Sequence, residues 1–387
     1  MRCRHRRDRG GSAVQAAAAG RPVNIEARFE QTRARERALG VAHWEQPDHG
    51  VFAIGVEVAG RPPLRFVGRP HRPASSVDFR LYLPGLAAYY TARGGRVVIG
   101  PVDLPRLGRR HDLVVVASGS PSVPGLFPRD PARSPFGRPQ RRLCAGFFRG
   151  IAPTEPMGLH FQLCPGVGEI FANPFRSVAG PAHALMIEAV PGGPLEAITR
   201  LPCDADPEGF ERTLLALLAR FAPAVRDRVD PGEFGLTRPI DLLQGAITPV
   251  VRHGWAELDD GRFAVAVGDA WVLNDPIVGQ GANLGSRTAF LLADAILAGP
   301  PYDAAFCRAV HARMWEAARP VTEWSNAFLQ PPPPHAVELL VVAAHDPRVA
   351  DAFVENFNDP PAMWDALCAH ERSAAWLKRV RTTAPAA

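Results

Sequence analysis

The stretch Phe263–Leu297, "FAVAVGDAWVLNDPIVGQGANLGSRTAFLLADAIL", decides how the chain is read. Phe263–Val267 is an unbroken apolar run, as in a strand buried on both faces. Gly268 ends the run and lets a ligand come close to the backbone. Asp269 then stands at the carboxyl end of that strand, where open α/β sheets bind ligands. Its carboxylate can accept hydrogen bonds from a sugar-like hydroxyl. Pro276 stiffens the following loop, and Gly279, Gly281 and Ala282 are small enough for a flat ring to rest on main chain. A helix beginning near Asn283 aims its free N–H groups and positive dipole end back at that ring. Such an end favours negative charge, as on a reduced flavin. A buried strand, a tight turn and a surface helix are the plain alternative. The ordered set Gly268-Asp269, Asp275-Pro276 and Gly279-x-Gly281-Ala282-Asn283 is far more specific than Gly-Asp alone.

Composition bounds the rest. The 387 residues suffice for two or three domains, each with a core. Hydrophobic residues make up 47% and charged residues 21%, which fits a globular protein. The net charge of +5 comes largely from arginines near the N-terminus, so it reads as a solvated surface and not a nucleic-acid footprint. The six cysteines lie far apart with no CxxC spacing, which argues against zinc and for a reduced, cytoplasmic setting. No apolar run reaches membrane-span length. The basic start has an apolar part interrupted by Gln15, a poor secretion signal.

Along the chain, residues 1–20 do not read as a folded element. "VFAIGVEV" and "LRFVG" read as strands. Ser75 or Ser76 can cap a helix that carries Leu81, Leu86, Tyr89 and Tyr90, is strained by Pro84 and ends at Gly94-Gly95. "RVVIG" reads as a strand and "HDLVVVASGS" as a buried strand. From Arg141 short strands separated by Pro and Gly predict an antiparallel sheet, followed by an amphipathic helix in "PEGFERTLLALLARFAP". After Gly299-Pro300 the remainder is helical, broken by "QPPPPH" as a stiff connector.

Several segments together resemble the epoxidase component of the FAD-dependent styrene and indole monooxygenases. The Gly268–Gly285 segment is similar to the C-terminal flavin motif of aromatic monooxygenases. "SSVDFRLYLPGLAAYYTARGG", "SPFGRPQRRLCAGFFRGI", "DLLQGAITPVVRHGWAEL" and "FVENFNDPPAMW" look like further segments of that branch, over about residues 21–370. The resemblance implies an α/β fold, α+β overall. Its Rossmann-like FAD-binding domain (21–140 and 241–300) holds an inserted β-sheet substrate domain (141–240) and precedes a helical C-terminal part (301–387). It implies that Arg80 meets the FAD phosphate or ribose; an ion pair with Asp78 is the alternative. Gly119 then passes close to the cofactor, Gly268 lets the backbone approach it, Asp269 holds the ribityl chain, and Pro276, Gly279, Gln280, Gly281, Ala282 and Asn283 line the isoalloxazine ring. Asn24, in "RPVNIEARF", aligns with the family's active-site Asn, beside the departures Ile25 and Glu26. A carboxylate there costs free energy beside an apolar substrate unless it is paired.

The implied chemistry is epoxidation of a styrene-like aromatic alkene or indole with O2 through an FAD C4a-hydroperoxide. No catalytic protein nucleophile or metal is needed, and His160 and His253 read as structural. Reduced FAD comes from an NADH-dependent flavin reductase partner, and a homodimer is one expected assembly. A one-component NAD(P)H-dependent hydroxylase and an inactive remnant are the alternatives. Phe161, Phe171, Phe175 and Met186 are candidates for the substrate pocket, and all could equally be core.

The family's opening GxGxxG strand–turn–helix is not in this sequence, because residues 1–20 are fewer than the roughly 30 that such a unit needs. Read one nucleotide later, codons for Arg4–Gly11 can encode Gly-Ile-Val-Gly-Thr-Gly-Ala-Gly. A frameshift with a deletion is therefore expected, along with a truncated FAD domain, weak FAD binding and poor stability. Sequencing the DNA upstream of Asn24 checks it.

Overall fold

The computed structural model describes residues 19–382 except 61, 101–102, 119–124 and 259–260. Alternation in the middle of the chain builds one large sheet. From one edge it runs Leu64–Gly68, Ala53–Val58, Gly158–Cys164, Gly168–Ser177, Gly180–Ala189 and Arg142–Arg149. Gly235–Leu236 and Leu242–Ala246 both pair with Arg142–Arg149. Every pairing is antiparallel except that of Ala53–Val58 with Gly158–Cys164. The antiparallel expectation for 141–240 holds for the strands within that segment. Ala53–Val58 and Leu64–Gly68, grouped by sequence with 21–140, lie in this sheet because the parallel pairing recruits them.

The period of two sorts the sheet's faces. Ile170, Ala172, Leu185 and Ile187 share a core with Phe210, Leu214 and Leu218 of the helix Pro207–Phe221. Asp206 caps that helix by accepting from the Gly209 N–H. Glu169, Phe171, Asn173 and Phe175 belong to the opposite face, in register with Glu188, Met186, Ala184 and Ala182. That second face meets Ile277 and Val278 of the Phe263–Leu297 stretch through Phe171.

Phe263–Ala266 is buried throughout, parallel to Leu113–Val116 on one side and antiparallel to Trp255–Glu257 on the other. The helices Gly281–Leu297 and Ala304–Phe328 complete its core through Leu284, Leu292, Cys307, Val310 and Met314. The helices Pro334–His345, Pro347–Glu355, Pro360–Leu367 and His370–Thr382 follow. Three of them open on proline, whose fixed φ suits the first helical position. The "QPPPPH" run therefore ends inside a helix and is not wholly a connector. Phe66 meets Phe353 edge-to-face at 5.8 Å, which ties these helices to the sheet edge.

Local expectations also needed correction. The helix Phe79–Ala92 is capped by Asp78, not by Ser75 or Ser76. Those serines are buried: Ser75 lies in the short strand Ala74–Ser75, and Ser76 follows it. "RVVIG" forms no strand, and Val98 and Ile99 are 72% and 88% exposed. A strand needs a partner for its backbone groups, and none of the described residues pairs with this one. Leu113–Val116 has Phe263–Ala266 as its one described neighbour, so Val115 is 46% exposed. Among the described residues no helix is long and apolar enough to cross a membrane.

Candidate functional site

Two turns and a helix start converge at the end of the Phe263–Ala266 strand. Gly268 has φ +56°, the left-handed region that favours glycine, and opens the short turn Gly268–Ala270. A Cβ placed on Gly285 would lie 3.6 Å from the Gly268 Cα, so the strand end and the helix Gly281–Leu297 approach backbone to backbone. Asp269 is exposed, and its carboxylate accepts no hydrogen bond from a described residue. Crowding raises that carboxyl above its ordinary value, and Arg252 partly offsets the rise. Arg252 donates to the Asp269 carbonyl at 3.0 Å, which holds the turn. Trp271 is buried completely beneath it, edge-on to His311 at 5.2 Å.

The second turn, Pro276–Val278, is capped by Asp275, whose Oδ1 accepts from the Ile277 N–H. Gly279, at φ +63°, passes the chain into the helix. Nothing lies within 4 Å of a Cβ built on Gly279 or Gly281, and both residues are exposed. No side chain caps this helix, so its first N–H groups lack an intrahelical or capping partner. An open surface of glycine main chain beside an uncapped helix start fits the flat, anionic ring of a reduced flavin.

The named residues divide by direction. Gly268, Asp269, Gly279, Gly281 and the half-buried Ala282 and Pro276 lie on or beside this open surface. Gln280 and Asn283 are turned into the protein. Gln280 donates to the Phe357 carbonyl at 3.0 Å. Asn283 Oδ1 accepts from Phe29 N–H and Thr32 Oγ1, and its Nδ2 donates to the carbonyls of Ala27 and Gly279. Asn283 thus has its polar atoms committed to bracketing the Ala27–Thr32 segment. Ring-lining was expected of both residues; instead their side chains are committed inside the protein, behind the exposed Gly279 and Gly281.

Arg80 is also placed differently from the expectation. It is 4% exposed, pairs with Asp78 and Asp241, and donates to the Gly20 carbonyl. Four of its five N–H donors are committed, the ion-pair alternative in buried form, which leaves little for a phosphate. Gly119 lies outside the described residues. Asn24 is half-buried on an extended segment, and its neighbour Ile25 packs against the stacked pair Phe147 and Phe175. Glu26 is paired with Arg28 at 3.4 Å, and burial pushes its carboxyl up to about 8 despite that cation. Neither Glu26 oxygen accepts a hydrogen bond from a described residue, so the cost foreseen for a carboxylate there is avoided by holding the proton and not by pairing. Phe161 and Phe171 stack at 4.5 Å, share a core cluster with Ile277 and Val278, and have the half-buried Met186 packed against that cluster. His160 is depressed by burial and lies at a strand position in the sheet.

Sequence reading passed over Glu169, Glu188 and Arg141. The signal was present: a lone Glu interrupts each of the apolar strands "GEIFAN" and "HALMIEAV". Arg141 forks onto Glu169 at 2.7 and 2.9 Å. Burial, and then Asp275 nearby, raises Glu188 well above the carboxylate range. No group of His, Cys, Asp and Glu suited to a metal ion exists among the described residues.

Known proteins share this architecture. The chain is similar to the structure of the flavin-dependent brominase Bmp2, with a TM-score of 0.64 at 14% identity, covering 93% of this chain and 90% of that one. PqsL, a probable FAD-dependent monooxygenase from Pseudomonas aeruginosa, gives 0.54 at 15% identity over 89% and 97%. At such identity the likeness shows the fold alone, a mixed α/β architecture. Residues 119–228 match the family model "Styrene monooxygenase A putative substrate binding domain". Styrene monooxygenase StyA of Pseudomonas fluorescens is 35% identical over 370 residues, 94% of this chain and 89% of its own length. StyA of a second Pseudomonas gives the same figures. With this kinship along nearly its whole length, the chain belongs to the styrene monooxygenase family of flavin-dependent oxygenases.

Proposed function

We propose that the protein is the oxygenase component of a two-component monooxygenase that epoxidises styrene-like aromatic alkenes or indole, using reduced FAD from an NADH-dependent flavin reductase. The carrying observation is the apolar face of Phe161 and Phe171 in one core with Ile277 and Val278, next to the open surface at Gly279 and Gly281. When bound, reduced FAD would supply the two electrons that let one atom of O2 go to the alkene and the other, with two protons, leave as water. Gly279, Gly281 and Ala282 support the ring, with Pro276 at its edge. The N–H groups at the helix start favour the anionic reduced form by about 0.3–1 kcal/mol. Asp269 accepts from ribityl hydroxyls. Asn24 lies on the segment that Ile25 anchors to Phe147 and Phe175. Gln280 and Asn283 hold the chain behind the ring in place, and Arg80 organises the Asp78–Asp241 junction and does not bind phosphate.

A second reading is favoured by the edge at Leu113–Val116, which has no second partner among the described residues, and by the exposed Val98 and Ile99. In it the chain as written keeps the fold and binds FAD weakly. One set of assays separates the readings. Purified protein is given FAD, NADH, a flavin reductase and styrene or indole, and styrene oxide or indigo is measured. Product that requires the reductase supports the proposal, and product with NADH alone points to a one-component hydroxylase. Absence of product together with weak FAD binding supports the second reading.

A further inference from the structure

Beside the Pro276 turn three buried carboxyl groups, two of them on the sheet face, meet one guanidinium. Glu169 and Glu188 stand directly opposite each other on neighbouring strands, and Asp275 comes to Glu188 from the loop. They are 6%, 0% and 2% exposed. Like charges directly across a sheet repel, and burial sharpens the cost. Arg141 neutralises Glu169 with its bidentate fork. Neither oxygen of Glu188 and not Oδ2 of Asp275 meets a donor, yet the two carboxyls lie within hydrogen-bonding reach of each other. Two facing carboxylates with no cation of their own cannot both stay ionised, whereas one proton between them satisfies both.

We propose that Glu188 is a positioning residue, which keeps one proton, donates it to Asp275 Oδ2 and so pins the Asp275–Gly279 loop to the sheet. Asp275 is held on its other sides as well. Its Oδ1 accepts from the Ile277 N–H, and its carbonyl accepts from Ser325 Oγ on the long helix Ala304–Phe328. The shared proton is the third attachment, and it joins the loop to the face that carries Phe171 and Met186. Burial raises both carboxyls, Glu188 the more strongly, with Glu169 adding to the rise at Glu188 and Arg141 opposing it at both. The importance of this attachment for catalysis rests on the reading of the loop as the support for the flavin ring.

The test uses the full chain and Glu188→Gln, whose amide can donate to Asp275 with no titrating proton. At pH 7 the wild-type infrared spectrum minus that of Glu188→Gln should show a protonated-carboxyl band, the contribution of the buried Glu26 being common to both and cancelling. The wild-type Tm should fall more steeply than that of Glu188→Gln between pH 5 and pH 9, because a raised carboxyl loses its stabilising proton as pH rises. Glu188→Gln should keep FAD affinity within about twofold, and Glu188→Leu should weaken it about tenfold by stranding the Asp275 oxygen. Absence of that difference band together with an unchanged Tm slope in Glu188→Gln overturns the proposal. If the wild type binds no FAD, the flavin reading fails instead, while the band and the slope still judge the shared proton.

Discussion

Asn283 and Gly281 sit two positions apart and do opposite work. Asn283 satisfies two donors and two acceptors inside the protein, among them the backbone of Ala27 and Phe29. Removing its amide strands those groups, so Asn283→Ala should destabilise the fold by about 2–4 kcal/mol, read by urea unfolding. Gly281 touches nothing on its outer side. Gly281→Leu should change unfolding stability by less than about 1 kcal/mol, since leucine is also a better helix former. The same side chain would fill the space assigned to the ring, so FAD binding followed by fluorescence should drop at least tenfold. A residue in the same motif that lost stability but not flavin would reverse these two assignments.

At the scale of elements, apolar pattern was a sound guide wherever a partner existed. The strand Phe263–Ala266 and the helix Pro207–Phe221 formed as their periods required, each with a packed face. "RVVIG" has the same strand-like composition and no partner among the described residues, and it stays open. Ile99→Ser should therefore shift unfolding stability by no more than about 0.5 kcal/mol, against about 3–5 kcal/mol for Phe210→Ala under the sheet. The exposed patch is also an aggregation liability. Val98→Ser with Ile99→Ser should raise solubility, measured as the monomer fraction by size-exclusion chromatography.

Across the whole molecule, buried charge gathers where segments distant in sequence meet. Glu26, Arg28 and Glu36 join the extended N-terminal segment to the helix Glu30–Leu39, and Tyr82 donates to Glu36 at 2.6 Å from a third element. Burial raises the Glu26 carboxyl from 4.5 to about 8, with Arg28 opposing and Glu36 adding to the shift. Its folded form prefers the proton, so that stabilisation is full below pH 4.5 and drains away as pH rises toward 8. Glu26→Gln should flatten the decline of Tm over that range, measured by calorimetry at matched ionic strength. An identical decline in the variant would mean that Glu26 is ionised in the fold.

Much of the site was legible in one dimension. The strand, glycine turns and helix start of 263–297 depend on local residue chemistry, and the family kinship runs through motifs of the same kind. The sequence alone allowed two roles for Arg80 and placed Asn283 at the ring. The choice fell to tertiary structure, because a polar side chain turns toward whichever partner folding brings near. Asp241 stands 161 positions from Arg80, and Phe29 stands 254 from Asn283. The recruitment of Ala53–Val58 into the large sheet and the meeting of Glu188 with Asp275 were decided at the same level. Strand pairing and shared protons arise between segments, and no local pattern specifies which segments will meet.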